Sequence, residues 1–157
     1  MATRPKDIGT AAETAVVRFL RTAGFPHAER RALTGALDQG DITGTPGIAW
    51  EVKGGQAAKT ASDGQVAQWL AETETERLNA RADIGILVMA RAGCGPANTG
   101  RWWAVLPFLH VAPQVALAAD TAALSIQPVR VHLATACRML QVAGYGAPQG
   151  SIGAVPA

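Results

Sequence analysis

The sequence has few of the residues that build metal clusters or disulfide frameworks. Its 157 residues include two cysteines and three histidines, and no Cys-x-x-Cys motif is present. These counts argue against a zinc site and against a small secreted domain held by disulfides. Aromatic residues make up only 5% and charged residues 17%, whereas hydrophobic residues reach 48%. That balance argues against a disordered chain and favours one domain with a single core.

Long hydrophobic runs are also lacking. The most apolar stretch, residues 105–119, contains Pro107, His110 and Pro113, and it is too short to span a bilayer. The N-terminal residues show no apolar signal core. We therefore predict no membrane partner, reduced thiols and a cytoplasmic location, or the host cytoplasm if a phage encodes the protein.

Carboxylates are scarce in the second half of the chain. From Ile84 onward the only acidic side chain is Asp120, against four arginines. The net charge of the whole chain is only +2, which permits nucleic-acid binding but does not indicate it. Any site built from several carboxylates is therefore expected within residues 1–83.

Hydrophobic periodicity predicts a mixed α/β fold, with a sheet flanked by helices, in a single domain over residues 1–145. Residues 107–128 fit no one pattern, and the Gly-, Pro- and Ala-rich residues 146–157 are predicted to be a disordered tail. The predicted elements are helices at 8–23, 62–80 and 131–143, and strands at 27–33, 41–43, 48–53, 84–89 and 101–106.

One acid of the first helix lies where apolar residues are expected. Glu13 falls inside the apolar arc, between Val17 and Leu20. A buried ionised carboxylate costs several kcal/mol unless a cation or hydrogen bonds compensate it. If the helix packs across the predicted hairpin, Glu13 reaches a metal site as a ligand or as support for one. The alternative is that Glu13 extends to water at the edge of the arc.

Three further residues predict a site that performs chemistry. Glu51 and Lys53 are two residues apart on a strand and share a face. The Pro46-Gly47 turn predicts a hairpin that brings Asp41 beside them. Two carboxylates and a backbone carbonyl suit Mg²⁺, while Lys53 holds or deprotonates a water or stabilises charge on a phosphodiester. The alternative is an exposed cross-strand salt bridge without catalytic meaning.

The ordered set Glu13, Gly40-Asp41-Ile42 and Trp50-Glu51-Val52-Lys53 resembles the PD-(D/E)XK nuclease superfamily. Within it, the resemblance is to Holliday-junction resolvases of the archaeal type and their phage-encoded relatives, over residues 6–89. It implies a restriction-endonuclease-like fold, with Asp41, Glu51 and the Val52 carbonyl as ligands of Mg²⁺, for which Mn²⁺ substitutes. Lys53 becomes the catalytic lysine and Glu13 the helix acid. Such enzymes are homodimers that nick opposing strands of four-way DNA. Gly40 stands where the family has proline.

Four other polar residues are candidates for supporting roles. Gln65 would contact the nucleophilic water or phosphate, as a helix glutamine does in some superfamily members, but a capping box with Ser62 explains it equally well. Arg30, Arg31 and Lys59 are predicted phosphate contacts. Neighbouring strand residues point to opposite faces, so only one of the two arginines shares a face with the site.

Other assignments stay open at this level. Trp102 and Trp103 are predicted to pack in the core or in a dimer contact, with exposed apolar residues of 102–117 forming the dimer interface. Another restriction, repair or exonucleolytic DNA nuclease is the first alternative function. A non-catalytic DNA-binding module of the same fold is the second, and an RNA-directed nuclease is the third.

Overall fold

A four-stranded sheet with helices on both faces forms the centre of the computed structural model, which describes residues 4–32, 35–114 and 122–148. The predicted mixed α/β class is confirmed. In chain order the elements are α1 (Pro5–Thr22), β1 (Glu29–Arg30), β2 (Ile42–Thr43), β3 (Ile48–Lys53), α2 (Gly55–Lys59), α3 (Asp63–Asn79), β4 (Ile84–Met89), a 3-10 helix (Pro96–Arg101), β5 (Trp103–Pro107), α4 (Phe108–Val111), α5 (Ala122–Ser125), β6 (Pro128–His132) and α6 (Leu133–Val142).

The main sheet has the strand order β3-β4-β5-β6. Strands β3 and β4 are parallel, whereas β4–β5 and β5–β6 are antiparallel. Strand β4 is almost wholly buried, as expected for an apolar run covered on both faces. The parallel β3–β4 pair needs a crossover connection, which α2 and α3 supply.

Helix α1 covers one face of the sheet. Its buried residues are Ala12, Ala15, Val16, Val17 and Leu20. Phe25, which follows the helix, meets Trp50 of β3 edge-on with ring centroids 6.2 Å apart. Gly54 lies where a Cβ atom would be 2.6 Å from Cβ of Ala12. Only glycine therefore allows α1 to cross so close to the end of β3.

Helix α3 covers the opposite face. The ammonium of Lys53 lies 5.7 Å from the ring centroid of Trp69 on α3. A Cβ atom at Gly85 of β4 would lie 2.9 Å from a carboxylate oxygen of Glu74 on the same helix. Because side chains alternate along a strand, Glu51 and Lys53 face α3, whereas Trp50 and Val52 face α1.

The predicted hairpin between 41–43 and 48–53 is wrong in its pairing. Strand β2 pairs with β1 instead, in a separate two-stranded antiparallel ribbon. Each of these strands has only two residues, and the rest of the predicted strand 27–33 is irregular where described. The ribbon still lies against the free edge of β3, because the N–H of Asp41 donates to the carbonyl of Trp50 at 2.7 Å.

Several other boundaries differ from the predictions. Helix α1 begins at Pro5, since proline suits the first helical turn. The segment after Gly54, to which the sequence pattern assigns no element, contains the short helix α2. Residues 128–132 form strand β6, and the last helix begins only at Leu133. The unassigned stretch contains α4 and α5, with residues 115–121 outside the described part.

Trp102 does not belong to an exposed surface. It is 4% exposed, and its indole N–H donates to the Cys94 carbonyl at 2.9 Å. Residues 104–106 are also buried, so core packing, one of the two predictions for Trp102, is confirmed, while a dimer interface of exposed apolar residues in 102–117 stays a prediction. Of the predicted tail, residues 149–157 lie outside the described residues, while the N–H of Ala147 donates to the Gly24 carbonyl. None of the described helices is long and apolar enough to cross a membrane.

Candidate active site

The free edge of β3 holds Asp41 in place. In addition to its backbone bond to Trp50, Asp41 accepts a hydrogen bond from the N–H of Val52 through Oδ2 at 2.8 Å. Gly40 makes this approach possible, because it has φ +89° and a Cβ atom there would lie 2.7 Å from the Trp50 carbonyl oxygen. The Gly-Asp step is therefore a structural requirement for placing this carboxylate beside β3.

The carbonyl of Val52 points to the same edge. In β3 the next carbonyl, that of Lys53, accepts from the N–H of Ala90 at 2.9 Å and so points toward β4. Successive carbonyls of a strand point to opposite edges. The Val52 carbonyl oxygen therefore lies on the side of β3 where Asp41 sits.

Glu51 and Lys53 form an ion pair on the face covered by α3. Glu51 is buried, with 8% of its surface exposed, while Lys53 is half-buried beneath the Trp69 ring. An ion pair of this kind is far less screened by solvent than a surface pair. The interpretation of these residues as an exposed cross-strand pair is therefore wrong for Glu51.

Asp41 and Glu51 repel each other across the edge of β3. Burial and the Glu51 charge, with a smaller contribution from Glu13, raise the pKa of Asp41 from 3.8 to about 7, although the Val52 N–H bond opposes the shift. Carboxyl groups this close cannot both ionise freely without a cation. The site therefore favours a bound positive charge.

A third carboxyl group, which the sequence did not predict, belongs to Glu76 of α3. Glu76 is 7% exposed, and its Oε2 atom is buried without a hydrogen-bond partner in the described part of the chain. Burial and, after it, the charge of Glu51 raise the pKa of Glu76 to about 9. The Glu51 charge thus acts on two carboxyl groups, those of Asp41 and Glu76.

Lys53 is the nearest compensating cation. Burial lowers its pKa, but the contact with Glu51 and the charges of Glu72 and Asp41 outweigh burial, so the net shift is upward. Lys53 is therefore held in its charged form. An ammonium in this state suits the stabilisation of negative charge better than the removal of a proton.

Glu13 and Arg30 form an ion pair at the mouth of the site. Arg30 Nε donates to Glu13 Oε2 at 2.7 Å, and Arg30 Nη2 reaches Thr10 Oγ1 at 3.4 Å. The acid in the apolar arc therefore has its compensating partner. Arg31 donates to the side chain of Gln39 at 3.3 Å. Both arginines line the groove that contains Asp41, so the predicted separation of the two onto opposite sides is not observed.

A groove of about 440 Å³ lies above Asp41. It is lined by three cationic side chains and by three acidic ones, which are Lys6, Arg30, Arg31, Glu13, Asp38 and Asp41. A second groove of about 710 Å³ lies between α1 and the 3-10 helix, lined mainly by alanine, threonine and proline. The larger groove has no acidic side chain in its lining, whereas the smaller one contains Asp41. Val52 and Lys53 line a neighbouring pocket together with Trp69.

Gln65 and Lys59 lie at the ends of helices. The N–H of Gln65 donates to Ser62 Oγ at 3.2 Å, which confirms the predicted cap of α3. Its proposed contact with a water or a phosphate stays a prediction. Lys59 is exposed at the last turn of α2 and borders a separate pocket with Asp7 and Trp102. Its role as a phosphate contact also stays a prediction.

The donor set fits a hard divalent cation in its chemistry. Asp41, Glu51 and the Val52 carbonyl supply oxygen atoms, which Mg²⁺ and Mn²⁺ prefer. Within the described ranges, no three His, Cys, Asp or Glu side chains are grouped so as to hold a metal ion by themselves. The candidate metal site is therefore two carboxylates and one main-chain carbonyl, with Glu13 and Glu76 as further acids nearby.

Comparison of the chain with protein-family models, with curated proteins and with solved structures gives no match. The functional argument therefore depends on the residues and contacts described above.

Proposed function

We propose that this protein is a metal-dependent DNA endonuclease with a restriction-endonuclease-like core. The observation that carries the proposal is the hydrogen bond from the Val52 N–H to Asp41 Oδ2. It connects two segments eleven residues apart and brings Asp41 to the buried Glu51–Lys53 pair. The resulting arrangement of two acids, a carbonyl and a lysine supports the resemblance to PD-(D/E)XK nucleases.

The residues divide the chemical work among them. Asp41, Glu51 and the Val52 carbonyl would hold Mg²⁺ or Mn²⁺, which when bound polarises a phosphodiester and lowers the pKa of a coordinated water. Lys53 stabilises the negative charge that develops on the phosphate oxygens. Glu51 and Trp69 hold the ammonium of Lys53 in position, and the Val52 N–H fixes the orientation of Asp41.

The groove above Asp41 suits a DNA backbone. Arg30 and Arg31 supply positive charge at its walls, and guanidinium groups bind phosphate oxygens strongly. The sequence resemblance makes a four-way junction the proposed substrate, recognised by its shape and its phosphates. Paired cuts on a symmetric junction need two active sites, and so we propose a homodimer with two-fold symmetry.

Cleavage of a labelled immobile four-way junction, beside linear duplex with the same arms, tests the proposal. Wild type with Mg²⁺ should give paired nicks across the junction, and EDTA should abolish them. Asp41→Asn should lower the rate by at least about 100-fold, because a group that stabilises the transition state is lost. Circular dichroism should show an unchanged fold. Asp7→Asn, an exposed acid on α1, is the matched control and should cut normally.

Three results would overturn parts of this proposal. Equal cutting of duplex and junction would show a general nuclease. Junction binding without cutting would show a non-catalytic module. Loss of the folded state in Asp41→Asn would assign a structural role to Asp41 in place of metal binding.

A further inference from the structure

A second charged cluster lies at the end of the main sheet where β4 ends and β5 begins. None of its residues belongs to the candidate active site. The guanidinium carbon of Arg91 lies 4.3 Å from the ring centroid of Trp103. Arg91 Nη1 lies 2.8 Å from Nε2 of His132 and 3.5 Å from the Arg101 carbonyl oxygen. The rings of Trp103 and His132 are 5.4 Å apart. The three side chains form one stacked unit, here called the Arg91 cluster.

The Arg91 cluster holds a guanidinium in a fixed position at the surface. Both hydrogen bonds of Arg91 to the described residues use Nη1, so Nε and Nη2 are the fork left for a ligand. A guanidinium that is already stacked on an aromatic ring loses little side-chain entropy when it binds. His132 is exposed, and Arg91 and Trp103 are half-buried. The cluster is therefore accessible.

Strand register places the Arg91 cluster on the same row as the catalytic lysine. Lys53 pairs with Met89, Met89 pairs with Trp103, and Trp103 pairs with His132. Side chains of paired residues point to the same face of a sheet. Three strand spacings of about 4.8 Å separate Lys53 from His132, so the row spans about 15 Å. Met89, the second member of the row, is 2% exposed, so the row gives the separation of the two sites at this end of the sheet and is not itself an open surface.

The charge around the cluster is positive. Arg101 and Arg130 are exposed nearby, on the 3-10 helix and on β6. Asp63, at the start of α3, lies 3.5 Å from Arg130 and compensates part of that charge. From Ile84 onward, four arginines face a single acid in the sequence. A polyanion is the ligand that such a surface complements.

We propose that the Arg91 cluster is a phosphate-backbone contact for a DNA arm that leaves the active site past this end of the sheet. This inference rests on the proposed nuclease function, because it names the path of the same substrate. Arg91 makes the contact, and Trp103 and His132 hold its guanidinium in place.

Salt-dependent DNA binding tests the cluster separately from cleavage. Fluorescence anisotropy is measured with labelled junction and Mg²⁺, in an Asp41→Asn background that prevents cutting, over roughly a fivefold range of salt. Arg91→Gln should lower the slope of log K against log salt by about 0.9, the value for one phosphate contact on duplex DNA. At about 0.1 M salt the same contact corresponds to roughly an eightfold loss of affinity.

Two further variants make the result decisive. Arg81→Gln removes the same charge from an exposed position at the opposite end of β4, about 20 Å away, and should leave affinity and slope unchanged. Arg91→Lys should keep the wild-type slope, because it keeps the charge. Equal slopes for Arg91→Gln and Arg81→Gln would overturn the inference, as would equal losses of slope in the glutamine and lysine variants. If wild type cuts no DNA but Arg91→Gln still loses slope, the proposed nuclease function fails and the contact stands.

Discussion

The two faces of strand β3 differ in what they contribute. The face toward α1 carries Ile48, Trp50 and Val52, which are all at most 6% exposed and pack in the hydrophobic core. The face toward α3 carries the ion pair of buried Glu51 with half-buried Lys53, beside two further carboxyl groups. One six-residue strand thus stabilises the fold with one face and carries proposed active-site residues on the other.

The difference between the two faces explains how the charged residues are kept in place. The charged face is unfavourable by itself, because burial and mutual repulsion raise the pKa of both Asp41 and Glu76. Packing on the α1 face offsets that cost, since burial of large apolar side chains is the dominant favourable contribution to stability. Functional sites commonly sacrifice stability in this way. Substitutions on the α1 face should therefore mainly lower stability, whereas substitutions on the α3 face should mainly lower activity.

Trp50→Ala should have the largest effect on stability. Trp50 is fully buried, and its indole N–H donates to Thr45 Oγ1 at 3.0 Å. Truncation leaves a cavity and removes this hydrogen bond, and we expect the free energy of unfolding to fall by about 3–5 kcal/mol. Urea denaturation of the metal-free protein measures this loss. A loss below about 1 kcal/mol would mean that packing on the α1 face does not stabilise β3.

Glu51→Gln should lower cleavage strongly and stability only slightly. Under the proposed function, we expect junction cleavage in single-turnover experiments to slow by about 100-fold or more, because the proposed metal ligand and the partner of Lys53 are lost. Stability should fall by no more than about 1 kcal/mol, since the charges of Glu72 and Asp41 still act on Lys53 and repulsion is relieved. Glu29→Gln, an exposed acid of β1, is the control. A destabilisation as large as that of Trp50→Ala would contradict the division between the faces.

Much of the α1 face could be predicted from the sequence. The alternation of residues 48–53 identifies β3, the helical period identifies α1, and Glu13 is the acid that breaks the period. The position of Asp41 was predicted, but through the wrong pairing. A two-residue strand gives too short a pattern to fix its partner, and the contact depends instead on Gly40 and one main-chain hydrogen bond.

The α3 face was harder to predict. Glu76 lies in a run of acids, threonines and an arginine, so nothing in its local pattern indicates burial. Its surroundings are set by tertiary contact with Glu51, which periodicity does not report. The same holds for the Arg91 cluster, whose members are separated by up to 41 residues. Long-range side-chain contacts of this kind appear only once the strands are paired.

Glu76→Gln changes how stability depends on pH, and it isolates the charged face in the metal-free protein. Because the folded pKa of Glu76 is about 9 and its ordinary value is 4.5, the folded state binds more protons than the unfolded state between these values. Stability of the wild type in EDTA should therefore decrease as the pH rises from 7 toward 9, by at most about 1.4 kcal/mol per unit for one proton. Asp41 has a folded pKa of about 7 and contributes mainly below that pH.

The glutamine variant should remove this dependence, because an amide carries no titrating proton. Thermal unfolding in EDTA at several pH values measures the slope, and Glu72→Gln, an exposed acid on the same helix, should retain the wild-type slope. If Glu76→Gln and wild type lose stability in parallel above pH 7, the pKa of Glu76 is not raised by burial beside Glu51, and the prediction is wrong. If stability is independent of pH in Glu76→Gln alone, the α3 face destabilises the metal-free fold through this one carboxyl group. The α1 face of β3 is unaffected by pH, because its side chains carry no charge.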